Sequence, residues 1–209
     1  MVVETKRIGL LGGSFDPVHI THIALADAAH QSLSLDQVQL IPAGNPWQRT
    51  PLKADTNHRI AMLKLAIRDR TWLTVNDIEV ERGGKTYTID TLRDLPQSNQ
   101  YYWIMGSDQL ENFCTWQAWQ EIADRVVLVV AHRPNHEVIV PSPLQKHLDK
   151  LHKHIVRLPF SPSSTSASSI RQQLGRHLAS EITVLDPLVR DYIMLHKLYQ
   201  SASTNSCTN

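Results

Sequence analysis

Short apolar runs alternate along the chain with longer segments in which apolar residues recur every three or four positions. Six runs have the length and the apolar or β-branched content of buried strands, at residues 7–11, 38–41, 72–75, 101–105, 126–130 and 155–158. Helical spacing appears at residues 19–33 and 55–69, and Asp55 or Thr56 is a suitable N-cap for the second helix. The pattern therefore predicts strands and helices in alternation.

The spacing near the C-terminus predicts two further helices. The first has Ile170, Leu174 and Leu178 on one face. The second is opened by Asp186 and Pro187, and its apolar face comprises Leu188, Tyr192, Leu195 and Tyr199.

This alternation indicates an α/β fold with a parallel sheet covered by helices on both faces. In such sheets ligands bind at the carboxyl ends of the strands, beside the point where the strand order reverses. We therefore expect a site in the loops that follow Leu11, Ile41, Met105 and Val130.

Composition adds limits to this picture. The chain has 209 residues, 42% hydrophobic and 20% charged, which is ordinary globular usage. We expect one domain over residues 1–200 and a disordered polar tail over residues 201–209. Lys and Arg number 21 against 20 Asp and Glu, so no broad basic surface for nucleic acid is predicted.

The sequence also predicts a cytoplasmic protein. The longest apolar run, residues 126–131, is far shorter than the roughly 20 residues that span a bilayer. No apolar segment typical of a signal peptide follows Met1. Only two cysteines occur, Cys114 and Cys207, so a reducing compartment is expected.

The loop after the first strand carries candidate chemistry. Gly12 and Gly13 allow the backbone to approach a ligand, and the following helix offers its positive end to an anion. His19 and His22 are spaced to project from one face of that helix and could donate hydrogen bonds to phosphate oxygens. Two histidines without a third nearby ligand fall short of a zinc site, and the loop is neither a Walker A nor a dinucleotide Gly-x-Gly-x-x-Gly sequence. An ordinary turn and an ordinary surface histidine pair remain alternatives.

A second candidate anion site precedes the helix at Ile170. Ser166 is a suitable N-cap, and the hydroxyl of Ser168 lies in the first helical turn, where the helix dipole favours an anion. Arg171 is a permanent cation with a fork of donors suited to phosphate. Capping serines are common, so the motif alone does not establish a site.

Together, the two motifs resemble those of the nucleotidylyltransferase superfamily. Its members carry a Gly-Gly-[Ser/Thr]-Phe-Asp-Pro loop followed by His-x-Gly-His, and a C-terminal Ser-rich motif that ends in Arg. Residues 12–19 match without a gap, whereas Thr21 stands where the superfamily usually has glycine. The resemblance implies ATP contacts at Gly12, Gly13, Ser14, Phe15, His19, His22, Ser166, Ser168 and Arg171, with His19, His22 and Arg171 catalytic.

Within the superfamily, residues 7–199 are most similar to the bacterial nicotinate-nucleotide adenylyltransferases. Residues 87–92 resemble the family's Tyr-Thr-x-x-Thr-Leu, which implies that Thr88 holds the nicotinate carboxylate. Residues 106–108 resemble its Gly-x-Asp, which implies ATP contacts at Gly106 and Asp108. Trp116 matches the family's ring-stacking tryptophan, and an indole face suits an electron-poor pyridine ring. The other implied contacts with the mononucleotide are Asp16, Arg49 and Arg133.

These resemblances imply a Rossmann-like, doubly wound, mostly parallel sheet and transfer of AMP from ATP to nicotinate mononucleotide. They imply a Mg²⁺ held mainly by the ATP phosphates and no dedicated metal site in the protein. Nicotinamide mononucleotide or another phosphorylated acceptor remains an alternative substrate, and a non-catalytic nucleotide-binding module is a further alternative. The oligomeric state stays open.

Overall fold

Six parallel strands form one sheet in the computed structural model, which describes residues 4–44, 52–133, 137–161, 166–176 and 182–200. The strands are β1 (Arg7–Gly13), β2 (Gln37–Pro42), β3 (Leu73–Val75), β4 (Gln100–Gly106), β5 (Val126–His132) and β6 (Val156–Pro159). All six predicted strands are confirmed, because buried parallel strands appear in sequence as continuous apolar runs.

Nine α-helices lie in the described part of the chain: α1 (Ile20–Ser32), α2 (Thr56–Ile67), α3 (Ile78–Arg82), α4 (Thr88–Asp94), α5 (Ser107–Glu111), α6 (Trp119–Arg125), α7 (Ser142–Lys150), α8 (Ala167–Gly175) and α9 (Pro187–Leu195). A short 3₁₀ helix, Phe113–Thr115, precedes α6. The predicted N-cap of α2 is confirmed, since the carboxylate of Asp55 accepts a hydrogen bond from the backbone N–H of His58.

The last helix is shorter than predicted. Its apolar spacing continues to Tyr199, but α9 ends at Leu195 and a turn follows. Lys197 and Tyr199 both have positive φ, which no helical residue adopts. Leu178 and the expected tail at residues 201–209 lie outside the described residues.

The two faces of the sheet have separate cores, as the apolar strands predict. One core packs α1, α2, α8 and α9 against the sheet, with Met62, Val189 and Ile193 fully buried. The other packs α4, α6 and α7, with Ile89, Ile122 and Leu144 fully buried. The sheet is thus covered on both sides, which confirms the doubly wound architecture.

The strand order is β3-β2-β1-β4-β5-β6, so the order reverses between β1 and β4. The ends of β1, β2, β4 and β5 lie at one edge because every pairing is parallel. All four predicted loops follow these ends. No helix within the described ranges is long and apolar enough to cross a bilayer.

Candidate active site

Two cavities open at the carboxyl ends of the strands, one on each side of the loop between β1 and α1. The larger cavity, of about 500 Å³, is lined by His19, Thr21, His22, Leu25, Gly106, Ser107, Asp108, Glu111, Ala131, His132, Arg133, Glu137 and Phe160. The smaller cavity, of about 150 Å³, is lined by Gly12, Gly13, Ser14, Ile41, Ala43, Glu79, Thr86, Tyr87, Thr88, Trp103, Gln109, Trp116, Gln117 and Ile122. The first loop (residues 12–19) therefore contributes to both cavities.

The start of the first loop is tightly packed. A Cβ atom on Gly12 would lie 3.2 Å from the ring of Trp103, so this strand end fits glycine best. Phe15 is 1% exposed, and its ring lies 5.0 Å from that of His22 in an edge-to-face arrangement. The side chain of Phe15 is thus buried against His22, and its contact with ATP stays a prediction.

The two predicted histidines lie together at the start of α1. His19 is the N-cap residue, and its backbone N–H donates to Nδ1 of His22 at 3.3 Å. The ring centroids are 3.9 Å apart. The structure therefore brings both imidazoles to one wall of the larger cavity, as the spacing predicts.

Burial makes His19 chemically distinct. Its residue surface is 8% exposed, and among the described residues its Nδ1 has no hydrogen-bond partner. Desolvation lowers the pKa of His19 to about 4. His19 is therefore neutral at pH 7, with a buried Nδ1 that the described residues leave unpaired.

The C-terminal serine–arginine turn reaches the first loop. Nη1 of Arg171 donates to the backbone carbonyl of Asp16 at 2.7 Å, and Nη2 donates to Oγ of Ser168 at 3.1 Å. Ser166 caps α8 by accepting a hydrogen bond from the backbone N–H of Ser169. The hydrogen bond between Arg171 and Asp16, which are 155 positions apart, thus joins the C-terminal motif to the first loop.

Asp16 is buried within protein contacts. It is 2% exposed, and its carboxylate accepts hydrogen bonds from the backbone N–H groups of Lys53 (2.8 Å) and Ala54 (3.1 Å) and from the hydroxyl of Tyr199 (2.7 Å). These partners give Asp16 a supporting role between loops. Its predicted direct contact with the mononucleotide is not favoured by this geometry.

Arg59 was not predicted and is fully buried. Its guanidinium donates to the carbonyls of Ser14 and Ala43 at 2.8 Å each, and so links the loops after β1 and β2. Burial lowers the pKa of Arg59, and the charge of Asp16 opposes that shift. The sequence holds one signal for this role, because Arg59 lies three and four positions before the core residues Met62 and Leu63 on the apolar face of α2.

The smaller cavity is lined by both residues predicted to hold the nicotinate, Thr88 at its carboxylate and Trp116 at its ring. Thr88 begins α4, and Trp116 follows the 3₁₀ helix. The Trp116 ring packs against Phe113 at 5.3 Å and lies edge-to-face with Trp103 at 6.3 Å. Because it is only half-buried, Trp116 can offer the rest of its surface to a flat ring.

Glu79 also lines the smaller cavity and was not predicted. Its carboxylate accepts a hydrogen bond from Oγ1 of Thr91 at 2.8 Å and interacts with the hydroxyl of Thr86 and the backbone N–H of Gly44. Burial raises the pKa of Glu79, and these donors oppose the shift. Glu79 has no sequence signal because its partners are recognisable only in the fold. Gly44 is required here, since a Cβ atom would lie 2.6 Å from the carbonyl oxygen of Glu79.

The remaining predicted residues divide between the cavities: Gly12, Gly13 and Ser14, predicted to contact ATP, line the smaller one. Gly106, Asp108 and Arg133 line the larger one, so the structure does not bring Arg133 to Thr88 and Trp116. Thr21 faces the same larger cavity. Arg49 lies outside the described residues.

The described residues include no group of three or more His, Cys, Asp or Glu side chains placed to hold a metal ion.

The chain is similar in sequence to known proteins. Residues 10–173 match the family model described as cytidylyltransferase-like. A protein of Bordetella parapertussis, named a probable nicotinate-nucleotide adenylyltransferase, is 55% identical over 93% of this chain and 98% of its own. A Bordetella petrii protein of the same name is 54% identical over 93% of this chain and 100% of its own.

A similar fold occurs in a solved structure, that of the Plasmodium falciparum nicotinic acid mononucleotide adenylyltransferase complexed with NaAD. It has a TM-score of 0.73 at 19% identity and covers 93% of this chain and 97% of that one. The fold is thus shared at low identity, while the Bordetella proteins match at high identity over nearly their full length. The chain belongs to the cytidylyltransferase-like family and, within it, to the nicotinate-nucleotide adenylyltransferases.

Proposed function

We propose that the protein transfers AMP from ATP to nicotinate mononucleotide, forming nicotinate adenine dinucleotide and pyrophosphate, a step of NAD biosynthesis. The observation that carries the proposal is the pair of cavities that share the first loop. Two nucleotides seated there would approach each other at the loop. The family membership of the chain supports the same reaction.

In the proposed step an oxygen of the mononucleotide 5′-phosphate attacks the α-phosphorus of ATP. One oxygen–phosphorus bond forms to the acceptor, and the bond between the α-phosphorus and the bridging oxygen breaks, which releases pyrophosphate. The acceptor oxygen is already anionic, so the step needs neither a general base nor a covalent intermediate. The protein contributes alignment and neutralisation of charge.

The two histidines of the larger cavity and the arginine at the first loop suit the leaving group. His19 and His22 present neighbouring imidazoles, and Arg171 is held at the loop by Asp16 and Ser168. Donors fixed before the reaction stabilise charge that develops on phosphate oxygens without reorganising. We assign these groups to the triphosphate, with Asp108 and Gly106 on the nucleoside side.

The smaller cavity suits the acceptor. Trp116 provides the ring face, and Thr88 provides a hydroxyl and a backbone N–H at the start of α4. The first N–H groups of a helix are unpaired within it and attract anions, so a ring carboxylate is favoured over an amide there. We place Arg49 as a candidate partner of the acceptor phosphate, and Arg133 as a second candidate that would reach that phosphate from the larger cavity.

Mg²⁺ enters this reaction as part of the ATP substrate, bound to its phosphate oxygens. We assign the reaction to one domain over residues 1–200, in the cytoplasm. The sequence features behind these two assignments are the composition and the paucity of cysteine.

Pyrophosphate release tests the proposal. With ATP and Mg²⁺, nicotinate mononucleotide should give steady turnover. Nicotinamide mononucleotide should react with a lower kcat/KM, and no pyrophosphate should be released when the acceptor is left out. A higher kcat/KM for the amide would overturn the assigned acceptor. No release with either acceptor would favour a nucleotide-binding module without catalysis.

A further inference from the structure

The end of the described chain turns back onto the first loop. After α9 ends at Leu195, Lys197 and Tyr199 adopt left-handed conformations with φ of 52° and 63°. Such conformations are uncommon for residues with bulky side chains and persist where surrounding contacts hold them. Tyr199 packs against the core and directs its hydroxyl to Oδ1 of Asp16 at 2.7 Å.

Asp16 is the point at which four segments meet. Its carboxylate accepts from the backbone of Lys53 and Ala54, which precede α2, and from Tyr199 after α9. Its carbonyl accepts from Arg171 of α8. Since a buried carboxylate is costly without donors, each of these donors fixes where Asp16 can lie.

We propose that Tyr199 is a positioning residue for the reaction: its hydroxyl fixes the Asp16 carboxylate and thereby the backbone that places His19 and Arg171 at the triphosphate. This inference rests on the proposed function for its catalytic consequence. Tyr199 acts through Asp16 and contacts no reacting atom.

The contacts explain why the position of Asp16, and not only the stability of the fold, depends on the hydroxyl of Tyr199. Tyr199 supplies the one side-chain donor to the Asp16 carboxylate among the described residues, and both backbone donors come from the single segment at Lys53 and Ala54. Without the hydroxyl, the Asp16 carboxylate keeps only the backbone N–H groups of Lys53 and Ala54 as donors among the described residues. Because Asp16 lies three residues before His19 and accepts from Arg171, its displacement shifts both groups.

The hydroxyl keeps its proton in this setting. Burial raises the pKa of Tyr199, and the neighbouring Asp16 carboxylate raises it further. Tyr199 therefore donates to Asp16 throughout the pH range in which the protein would be assayed.

The test compares Tyr199→Phe with Tyr192→Phe in the full-length chain. Tyr192 is the matched control, because its hydroxyl also joins the C-terminal helix to a neighbour, His58 Nδ1 at 2.9 Å, but does not reach the first loop. Tyr199→Phe should lower kcat roughly tenfold with a smaller change in KM, since displacements near 1 Å can cost roughly a hundredfold. Tyr192→Phe should leave kcat within about twofold.

A readout independent of activity is amide hydrogen exchange at Lys53 and Ala54, whose N–H groups donate to Asp16. Exchange there should quicken in Tyr199→Phe and not in Tyr192→Phe. Equal kcat values and equal exchange in the two variants would overturn the proposal, and so would failure of Tyr199→Phe to fold, since the hydroxyl would then be needed by the whole fold. A wild-type chain without turnover would refute the proposed function, while the exchange measurement would still decide the role of Tyr199.

A double-mutant cycle measures the coupling between Tyr199 and Asp16 apart from their other contacts. In Asp16→Ala the Tyr199 hydroxyl has no carboxylate to donate to, and Tyr199→Phe should then slow turnover much less than it does in the wild-type chain. Fully additive losses would contradict coupling between Tyr199 and Asp16.

Discussion

Burial sets the chemistry of single residues at this site, and His19 is the clearest case. Its pKa is lowered to about 4 from an ordinary value of 6.5, because the folded chain keeps the ring away from water. The unfolded chain therefore binds a proton at a higher pH than the folded one does. Folding stability consequently falls as the pH is lowered from about 6.5 to about 4.

This shift predicts a measurable pH dependence. In the wild-type chain the unfolding free energy should fall by up to about 3 kcal/mol as the pH is lowered from 6.5 to about 4, at 1.36 kcal/mol per pKa unit. In His19→Asn this decrease should be absent. Urea unfolding of both chains across this pH range is the measurement. Parallel stability curves for the two chains would show that His19 titrates normally in the folded state.

The second histidine is predicted to act on the leaving group. His22→Ala should lower kcat by roughly 10²- to 10³-fold, the typical cost of one preorganised donor, while ATP binding remains measurable. His30→Ala is a suitable control, because His30 lies on the same helix but stacks on Trp72 away from the cavities. Near-normal turnover of His22→Ala would remove that residue from the mechanism.

Trp116 should matter for the acceptor rather than for ATP. Replacing it by Leu removes a stacking face worth on the order of 1 kcal/mol, so the KM for nicotinate mononucleotide should rise several-fold while that for ATP changes little. Trp119→Leu is the comparison, since Trp119 packs on Phe113 and His147 and does not line the smaller cavity. Equal effects of the two substitutions would assign Trp116 to packing.

Among the elements, the loops after β1 and β2 are held as one unit. Arg59 bonds to a carbonyl of each loop, and Glu79 binds the second loop through Gly44. The side chains of Arg59 and Glu79 are both buried. The wall of the smaller cavity therefore depends on buried polar links as well as on apolar packing.

Gly44→Ala tests this link. Its Cβ atom would meet the Glu79 carbonyl oxygen at 2.6 Å, so backbone must move, and we expect a lower melting temperature and weaker acceptor binding. Gly106→Ala serves as the stability control, because its Cβ atom would meet nothing within 4 Å. Equal melting temperatures for the two variants would contradict the tight contact at Gly44.

The elements also show what sequence could and could not predict. Strands were predictable because they are buried on both faces, and the histidine and arginine motifs because their residues are adjacent in sequence. Arg59, Glu79 and Tyr199 were missed because their partners lie far away in sequence, 183 positions for Tyr199 and Asp16. The predicted helix end at Tyr199 was wrong for a related reason. Tyr199 is apolar enough to continue the helical spacing, but it lies beyond the end of α9 and its hydroxyl donates to Asp16.

At the scale of the whole molecule, the strand order places β1 beside the reversal point and its loop between two cavities. The loop contributes Gly12 and Gly13 to one cavity and His19 to the other, which His22 of α1 also lines. α8 and the C-terminal turn reach the same loop at Asp16. This arrangement suits a protein that aligns two nucleotides and forms no covalent bond to either.

The stereochemistry of AMP transfer tests that claim most directly. With ATP that carries sulfur in one defined configuration at the α-phosphorus, a single displacement by the acceptor phosphate inverts the configuration in the dinucleotide product. We predict inversion, determined by phosphorus NMR of the isolated product. Retention would require two displacements through a nucleotide bound covalently to the protein, and would contradict direct transfer between the two cavities.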